Sequence, residues 1–167
     1  MSECVINIRE IVKEEVDKYL EEVGFKKSIG FKDDEIFLLS KEEYEKYKDV
    51  IPKVNCCWWL RSPGHYSDSA ASVNYVGFVD YYGDCVDYDN DAVRPAAKIP
   101  NINISNLKIG DRFIMSNFPW IVIDTDLAIA EVPIAFDKFD DKSNDYENSY
   151  VRKFLKEWKE NRSIVYV

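Results

Sequence analysis

Two arginine-proline corners bracket the stretch that most constrains how this chain can fold. Trp58-Trp-Leu-Arg-Ser-Pro-Gly64 opens it, and Val93-Arg-Pro-Ala96 closes it before an apolar return to Ile99. Proline has no N–H to give to a ladder, so the return through Pro95 begins at an edge or a bulge. A guanidinium among apolar residues ties irregular carbonyls and carboxylates together through its five donors. Arg61 and Arg94 are therefore expected to be structural, framed by Trp58 and Trp59. Between the corners the segments Ala70–Tyr75, Phe78–Tyr82 and Cys85–Tyr88 are punctuated by Gly77 and Gly83, a spacing that predicts antiparallel hairpins.

The same span is crowded with Tyr, Asp, Asn and Ser. Tyr offers rigid amphipathic contact area and Ser and Asn offer adaptable hydrogen bonds, as in antibody loops. A ligand-binding surface is expected at His65, Tyr66, Asn74, Tyr75, Asp80, Tyr81, Tyr82, Asp84, Asp87, Tyr88 and Asp89, over a floor of Trp58, Trp59, Arg61, Arg94 and Trp120.

Charge narrows the partners. Among 167 residues the net charge is −9, which on average repels a phosphate backbone, so nucleic acid is not the expected partner. Cys4, Cys56, Cys57 and Cys85 show no framework spacing or C-x-x-C, and His65 is the only histidine. No metal site and no cofactor are expected. Asp87, Asp89 and Asp91 open like a calcium loop, but Ala92 and Lys98 stand where it needs Gly and Glu, which favours a solvated acidic turn. Nothing orders Cys57, Cys85 and His65 into nucleophile, base and orienter. The N-terminus lacks a basic region followed by an apolar run, and no stretch reaches membrane-span length. The expectation is cytoplasmic synthesis without a signal peptide and no membrane insertion.

Along the chain, the three- and four-residue spacing of apolar residues predicts a helix over 7–23, giving an N-terminal amphipathic helix and connection over 1–34. Glu35 to Leu39 reads as a buried strand. Ser40 and Glu43 form a capping box for a second helix that turns Tyr44 and Tyr47 inward. Cys57 to Leu60 reads as a strand and Ser62 to Gly64 as a turn. Residues 100–106 read as a linker. Strands are expected over Phe118–Asp124 and Ala128–Ala135, an acidic loop over Asp137–Asn148, a helix over 149–160 with Val151, Phe154, Leu155 and Trp158 on one face, and a last strand over 164–167.

The Trp-Trp-Leu-Arg-Ser-Pro-Gly opening, the Val-Asn-Tyr-Val-Gly-Phe-Val run and the Val-Arg-Pro-Ala close resemble a bacterial and phage family of unknown function, the DUF6273 type. Gly110-Asp111, Trp120-Ile-Val-Ile-Asp124 and Ser149-Tyr-Val-Arg152 are similar to that family's opening strand and Ser-x-x-Arg helix. The resemblance implies an α+β, C-type-lectin-like fold of short antiparallel strands with about three helices, spanning residues 35–167. It also implies kinship with formylglycine-generating enzymes and with the variable receptor-binding proteins of diversity-generating retroelements. The two blocks, 35–99 and 107–167, stand in reversed order, which implies a circular permutation or an exchange of halves between two copies. The cysteine pair of the enzymes and the calcium and sugar motifs of the lectins are absent. The expected function is non-enzymatic: a ligand-binding or adhesion module of a phage, prophage or other mobile element, taking a protein or glycan ligand. The alternatives are an enzyme of the formylglycine-generating lineage and an assembly subunit that forms a homo-oligomer through its N-terminal helix.

Overall fold

The computed structural model describes residues 15, 18, 19, 21–29, 36–104 and 106–164. Most of the helix expected over 7–23 lies outside these residues; positions 15, 18, 19, 21 and 22 are helical. The order of elements is β1 (Phe25–Ile29), β2 (Ile36–Phe37), α1 (Lys41–Tyr47), β3 (Trp58–Pro63), β4 (Ser69–Val73), β5 (Val79–Cys85), β6 (Ala92–Val93), β7 (Ala96–Lys98), β8 (Arg112–Met115), β9 (Phe118–Asp124), β10 (Leu127–Ala130), β11 (Ala135–Phe136) and α2 (Tyr150–Ile164). The chain is α+β, with two mixed sheets. One has the strand order β1-β8-β9-β10-β7-β2, with β1 parallel to β8 and the other pairs antiparallel. The other has the order β11-β6-β3-β4-β5, with only β3 and β6 parallel. Each sheet draws strands from both halves of the sequence.

The chain changes sheets three times, first between β2 and β3 through α1, and then at two neighbouring places. Val93–Ile99 was expected as one returning strand, but it is two: β6 in the five-stranded sheet and β7 in the six-stranded one, with Arg94-Pro95 between. The strand expected over Ala128–Ala135 splits in the same way, into β10 and β11. The two crossings hold each other, since the amides of Ala130 and Ile134 donate to the carbonyls of Pro95 and Val93, both at 2.8 Å. A chain leaving one ladder for another strands its carbonyls, and buried carbonyls need donors. Arg94 supplies them: Nε donates to Ala130 O (2.8 Å), Nη1 to Pro52 O (2.9 Å) and Nη2 to Glu131 O (3.1 Å). Its guanidinium also lies 5.2 Å from the Trp58 ring, and the whole side chain is 0% exposed. Burial pushes its pKa down to about 10, so it stays charged at neutral pH. Pro95 costs nothing here because its missing N–H falls where the chain has left the ladder.

Alternation along β3 sends Trp58 and Trp59 to opposite faces. Trp58, Leu60, Ala71 and Val73 meet Ile121, Ile123, Leu127 and Ile129 of the other sheet, so the sheets pack face to face there. Trp59 joins Phe139, Val86, Val93, Val151 and Leu155 on the outer side of the five-stranded sheet. Trp120 sits in a third cluster with Phe113, Met115, Val122, Ile102 and Leu107, against which Trp158 packs. Helix α2 thus carries Val151 and Leu155 into one cluster and Trp158 into another.

The local signals settle into their elements. Ser40 Oγ accepts from Glu43 N (3.1 Å) and Glu43 Oε1 accepts from Ser40 N (2.8 Å), closing the capping box of α1. Ser149 Oγ accepts from Arg152 N (3.1 Å) at the start of α2. That helix runs on to Ile164, so the strand expected over 164–167 gives way at its first residue; residues 165–167 lie outside those described. The 100–106 connection packs as well as links, since Ile102 is buried within a 3-10 turn, Ile102–Ile104. Residues 137–148 are polar, yet Phe139 is fully buried with its ring 5.7 Å from Trp59. Burial works against ionisation of Asp140. The amides of Lys142, Ser143 and Tyr150 nevertheless hold its carboxyl below its ordinary range and fold the loop over Phe139.

Candidate functional site

The three-stranded ribbon β3-β4-β5 forms one side of the five-stranded sheet, and β5 is its edge. Strand β4 reads Ser69-Ala-Ala-Ser-Val73 and is buried at every position, so small side chains let β3 and β5 close around it. The Asn74–Phe78 connection is a tight turn. Asn74 O accepts from Gly77 N (2.9 Å), and Asn74 Oδ1 accepts from Val76 N and Phe78 N, both at 3.0 Å.

Gly83 does not end a strand, as its spacing suggested. Strand β5 runs through it from Val79 to Cys85, and the strand expected over Cys85–Tyr88 is instead a turn at Val86 and Asp87. Between the pairs Ser72↔Asp80 and Ala70↔Asp84 the outer strand spends two residues more than its neighbour, a bulge. Gly83 sits in that bulge with φ +80°, and a Cβ there would lie 2.2 Å from the carbonyl oxygen of Ala70. The turn expected at Ser62–Gly64 is likewise shifted: β3 continues to Pro63, and the reversal lies between Gly64 and Ser69, whose backbones bond at 2.7 Å.

On this frame Tyr66, Tyr75, Tyr81, Tyr82 and Tyr88 are all exposed, with Tyr81 at 57% and Tyr82 at 67%. His65 is exposed too, its ring 4.7 Å from Tyr66 and 5.0 Å from Tyr82, which makes a three-ring patch. Tyr81 donates to Glu45 Oε1 (3.3 Å), and Lys41 Nζ lies 5.7 Å from its ring. Asp87 and Asp89 are exposed in the loop after β5. Asn74 is half-buried, and its side chain is used up holding the turn.

The tryptophans and arginines do not assemble into one floor. Trp58, Trp59 and Trp120 belong to three different clusters. Arg94 sits at the sheet crossing. Arg61 donates to Leu38 O (2.8 Å) and pairs with Glu43, fixing α1 to β3. Arg152 caps the carbonyl of Glu147 (3.0 Å) beyond the ribbon.

Sequence reasoning expected the most perturbed group of the region, Asp91, in a solvated acidic turn, and burial overturns that. Asp91 is 3% exposed, and its Oδ2 has no donor. Burial first, then Asp84 beside it and the charge of Asp80, push its carboxyl up to about 8. Asp84 Oδ2 accepts from Ser72 Oγ (3.3 Å), and Asp80 Oδ1 accepts from Gly83 N (3.1 Å). Ser72, Asp80 and Asp84 share one face, because residues opposite one another, and residues two apart, point the same way. Cys57 borders the group; burial and the nearby Asp91, Asp84 and Asp80 carboxylates raise its thiol pKa, which suppresses the thiolate. Asp91 reads as part of an acidic turn because Asp87 and Asp89 precede it. The available signal was on its other side, where the apolar run Ala92-Val93 begins at once.

Asp91 gives a pH dependence of defined sign. Its folded pKa, about 8, lies above the ordinary 3.8, so across that interval the folded chain holds a proton that the unfolded chain releases. This contribution to stability is whole below pH 4, falls as pH rises and is spent above 8. Asp91→Asn is expected to stabilise the protein at pH 9 by a few kcal/mol and to make little difference near pH 4. Urea unfolding of both proteins at pH 5, 7 and 9 checks this; equal stability at pH 9 refutes it.

Among the described residues, no three His, Cys, Asp or Glu side chains converge so as to hold a metal ion, and no helix is long and apolar enough to cross a membrane. Fold and site together define an α+β domain of two mixed sheets that displays an aromatic and acidic ribbon at the edge of one of them. Residues 13–101, which include both arginine-proline corners and the whole ribbon, match the family described as Domain of unknown function (DUF6273), and the chain belongs to that family. No curated protein and no solved structure matches the chain.

Proposed function

We propose that this protein is a non-enzymatic binding module whose ligand, a protein or a glycan, meets the ribbon between His65 and Asp89. The observation that carries this reading is the state of β5. Tyr81 and Tyr82 are consecutive residues on a sheet edge, both mostly exposed, Tyr81 near Glu45 and Lys41 and Tyr82 beside His65, while the neighbouring buried strand β4 supplies the packing. Large amphipathic rings presented to solvent at no cost to the core are the usual anchors of recognition surfaces. The raised pKa of the Cys57 thiol weighs against nucleophilic chemistry beside the acidic group. We further read the two-sheet arrangement as a rearranged C-type-lectin-like fold and the chain as a component of a phage or other mobile element. The support is its family membership together with the Ser-x-x-Arg helix start at Ser149.

The test is a double substitution. Tyr81→Ala with Tyr82→Ala is expected to abolish ligand capture on glycan and protein arrays while shifting Tm by no more than about 2 °C, since exposed side chains away from packing rarely change stability by more than about 0.5 kcal/mol. A large fall in Tm, or binding that survives intact, defeats the assignment.

A further inference from the structure

The ribbon and its loops carry a concentration of negative charge, and among the described residues no ion pair is made to its aspartates. Between Ser62 and Val93 the sequence has six aspartates (Asp68, Asp80, Asp84, Asp87, Asp89 and Asp91) and no lysine or arginine. Three of them meet in one half-buried recess. Asp80 and Asp84 come from β5, and Asp91 precedes β6. Ser72 and Cys57 complete the recess. Tyr82 lies in the bulge between Asp80 and Asp84, its ring beside His65.

Within this recess Asp91 is almost wholly buried, and as a carboxylate its Oδ2 has no donor. A buried acceptor without a donor is costly, and two adjacent carboxylates cannot both ionise cheaply. In the unliganded chain a proton held between Asp91 and Asp84 relieves this. A proton is the smallest cation the recess can take; the unmet acceptors call for a positively charged donor. The carboxylates do not converge tightly enough for a metal ion. A guanidinium, with five N–H donors spread over a plane, suits separated carboxylate oxygens and can also lie against an aromatic ring. The ribbon already makes one contact of this kind within the chain, Lys41 over Tyr81. Among the described strands β5 pairs only with β4, so its outer edge is left to an extended chain on either side of the bulge, where Tyr82 O and Gly83 N are taken by His65 N and Asp80 Oδ1.

We propose that the ligand is a basic protein segment, docked in extended form along β5, that places an arginine side chain in the recess formed by Asp80, Asp84 and Asp91, with Tyr82 as its aromatic wall. This rests on the binding-module reading and names the class of its ligand. The positive charge of the segment replaces the shared proton, so docking near neutral pH releases a proton. The groups facing Asp91 that set this exchange are Asp84, Asp80 and the Cys57 thiol.

The probe is a ten-residue Gly/Ser peptide carrying two arginines at alternate positions, with lysine, citrulline and glutamate versions of the same peptide. Titration calorimetry at pH 7 in two buffers of different ionisation enthalpy measures affinity and proton release together. The arginine peptide is expected to bind at least tenfold more tightly than the citrulline peptide, to weaken with rising salt and to release a proton. Asp84→Asn is expected to cost at least tenfold in affinity, and Asp80→Asn, which keeps the acceptor for Gly83 N, serves as a second variant should the first fail to fold. Equal binding of the citrulline or glutamate peptide overturns the proposal, and so does an arginine peptide that does not bind. If array ligands still bind and depend on Tyr81 and Tyr82, the cationic ligand is wrong and the surface reading stands. If neither peptides nor array ligands bind, both fall.

Discussion

Arg94→Ala is expected to leave no stably folded protein. The substitution removes three hydrogen bonds to the carbonyls of Pro52, Ala130 and Glu131 and the cation lying over Trp58, and it leaves a cavity the size of a guanidinium where nothing is exposed. Interior carbonyls left without donors cost about 1–3 kcal/mol each, together a large part of the stability of a domain this size. Arg94→Lys is expected to rescue little, because a single ammonium cannot span the carbonyl of Pro52 and those of Ala130 and Glu131. Circular dichroism and urea unfolding of the purified variants decide it: a cooperative transition within about 1 kcal/mol of the parent would show that the crossings hold without the guanidinium.

The second large effect is expected at Gly83. An alanine there meets two penalties: a left-handed backbone at φ +80° and a Cβ only 2.2 Å from Ala70 O, a backbone atom that cannot rotate away. The sum is at least about 3 kcal/mol. Gly110 separates the two terms. It has φ +93° but nothing within 4 Å of the added carbon, so Gly110→Ala carries only the conformational strain, about 1 kcal/mol. Unfolding curves of the two variants, measured together, test whether the bulge is sterically closed; equal losses would mean that it is not.

Both sites show what a sequence lays open and what it conceals. The capping box at Ser40 and Glu43 was readable because every participant lies within one turn of helix, and the Asn74–Gly77 turn because its donors and acceptors are neighbours. The structural character of Arg94 was readable from its apolar frame. Its partners were not, since Ala130 and Glu131 lie more than thirty residues on and join it only once both sheets exist. The same distance hid the two sheet crossings: Val93–Ile99 and Ala128–Ala135 each read as one apolar strand because burial in either sheet selects the same residues. A glycine with positive φ ends a hairpin strand or relieves a bulge equally well, so Gly83 read as a break. Phe139 was masked by its acidic neighbours, and Asp91 by its own, although the two end up far from solvent. At the candidate site the exposed tyrosines were foreseen from composition, whereas the recess needed the pairing of β4 with β5 to bring Asp80 and Asp84 onto one face and the reach of Asp91 from outside the ribbon.

Strand β4 has a practical consequence for protein engineering. Its serines, alanines and valine are buried throughout, and they fix the ribbon from beneath. The side chains at 66, 75, 78, 81, 82 and 88 are exposed and lie outside the buried core. Those six positions can be randomised together in a display library, so the domain is a scaffold from which new affinity reagents can be selected.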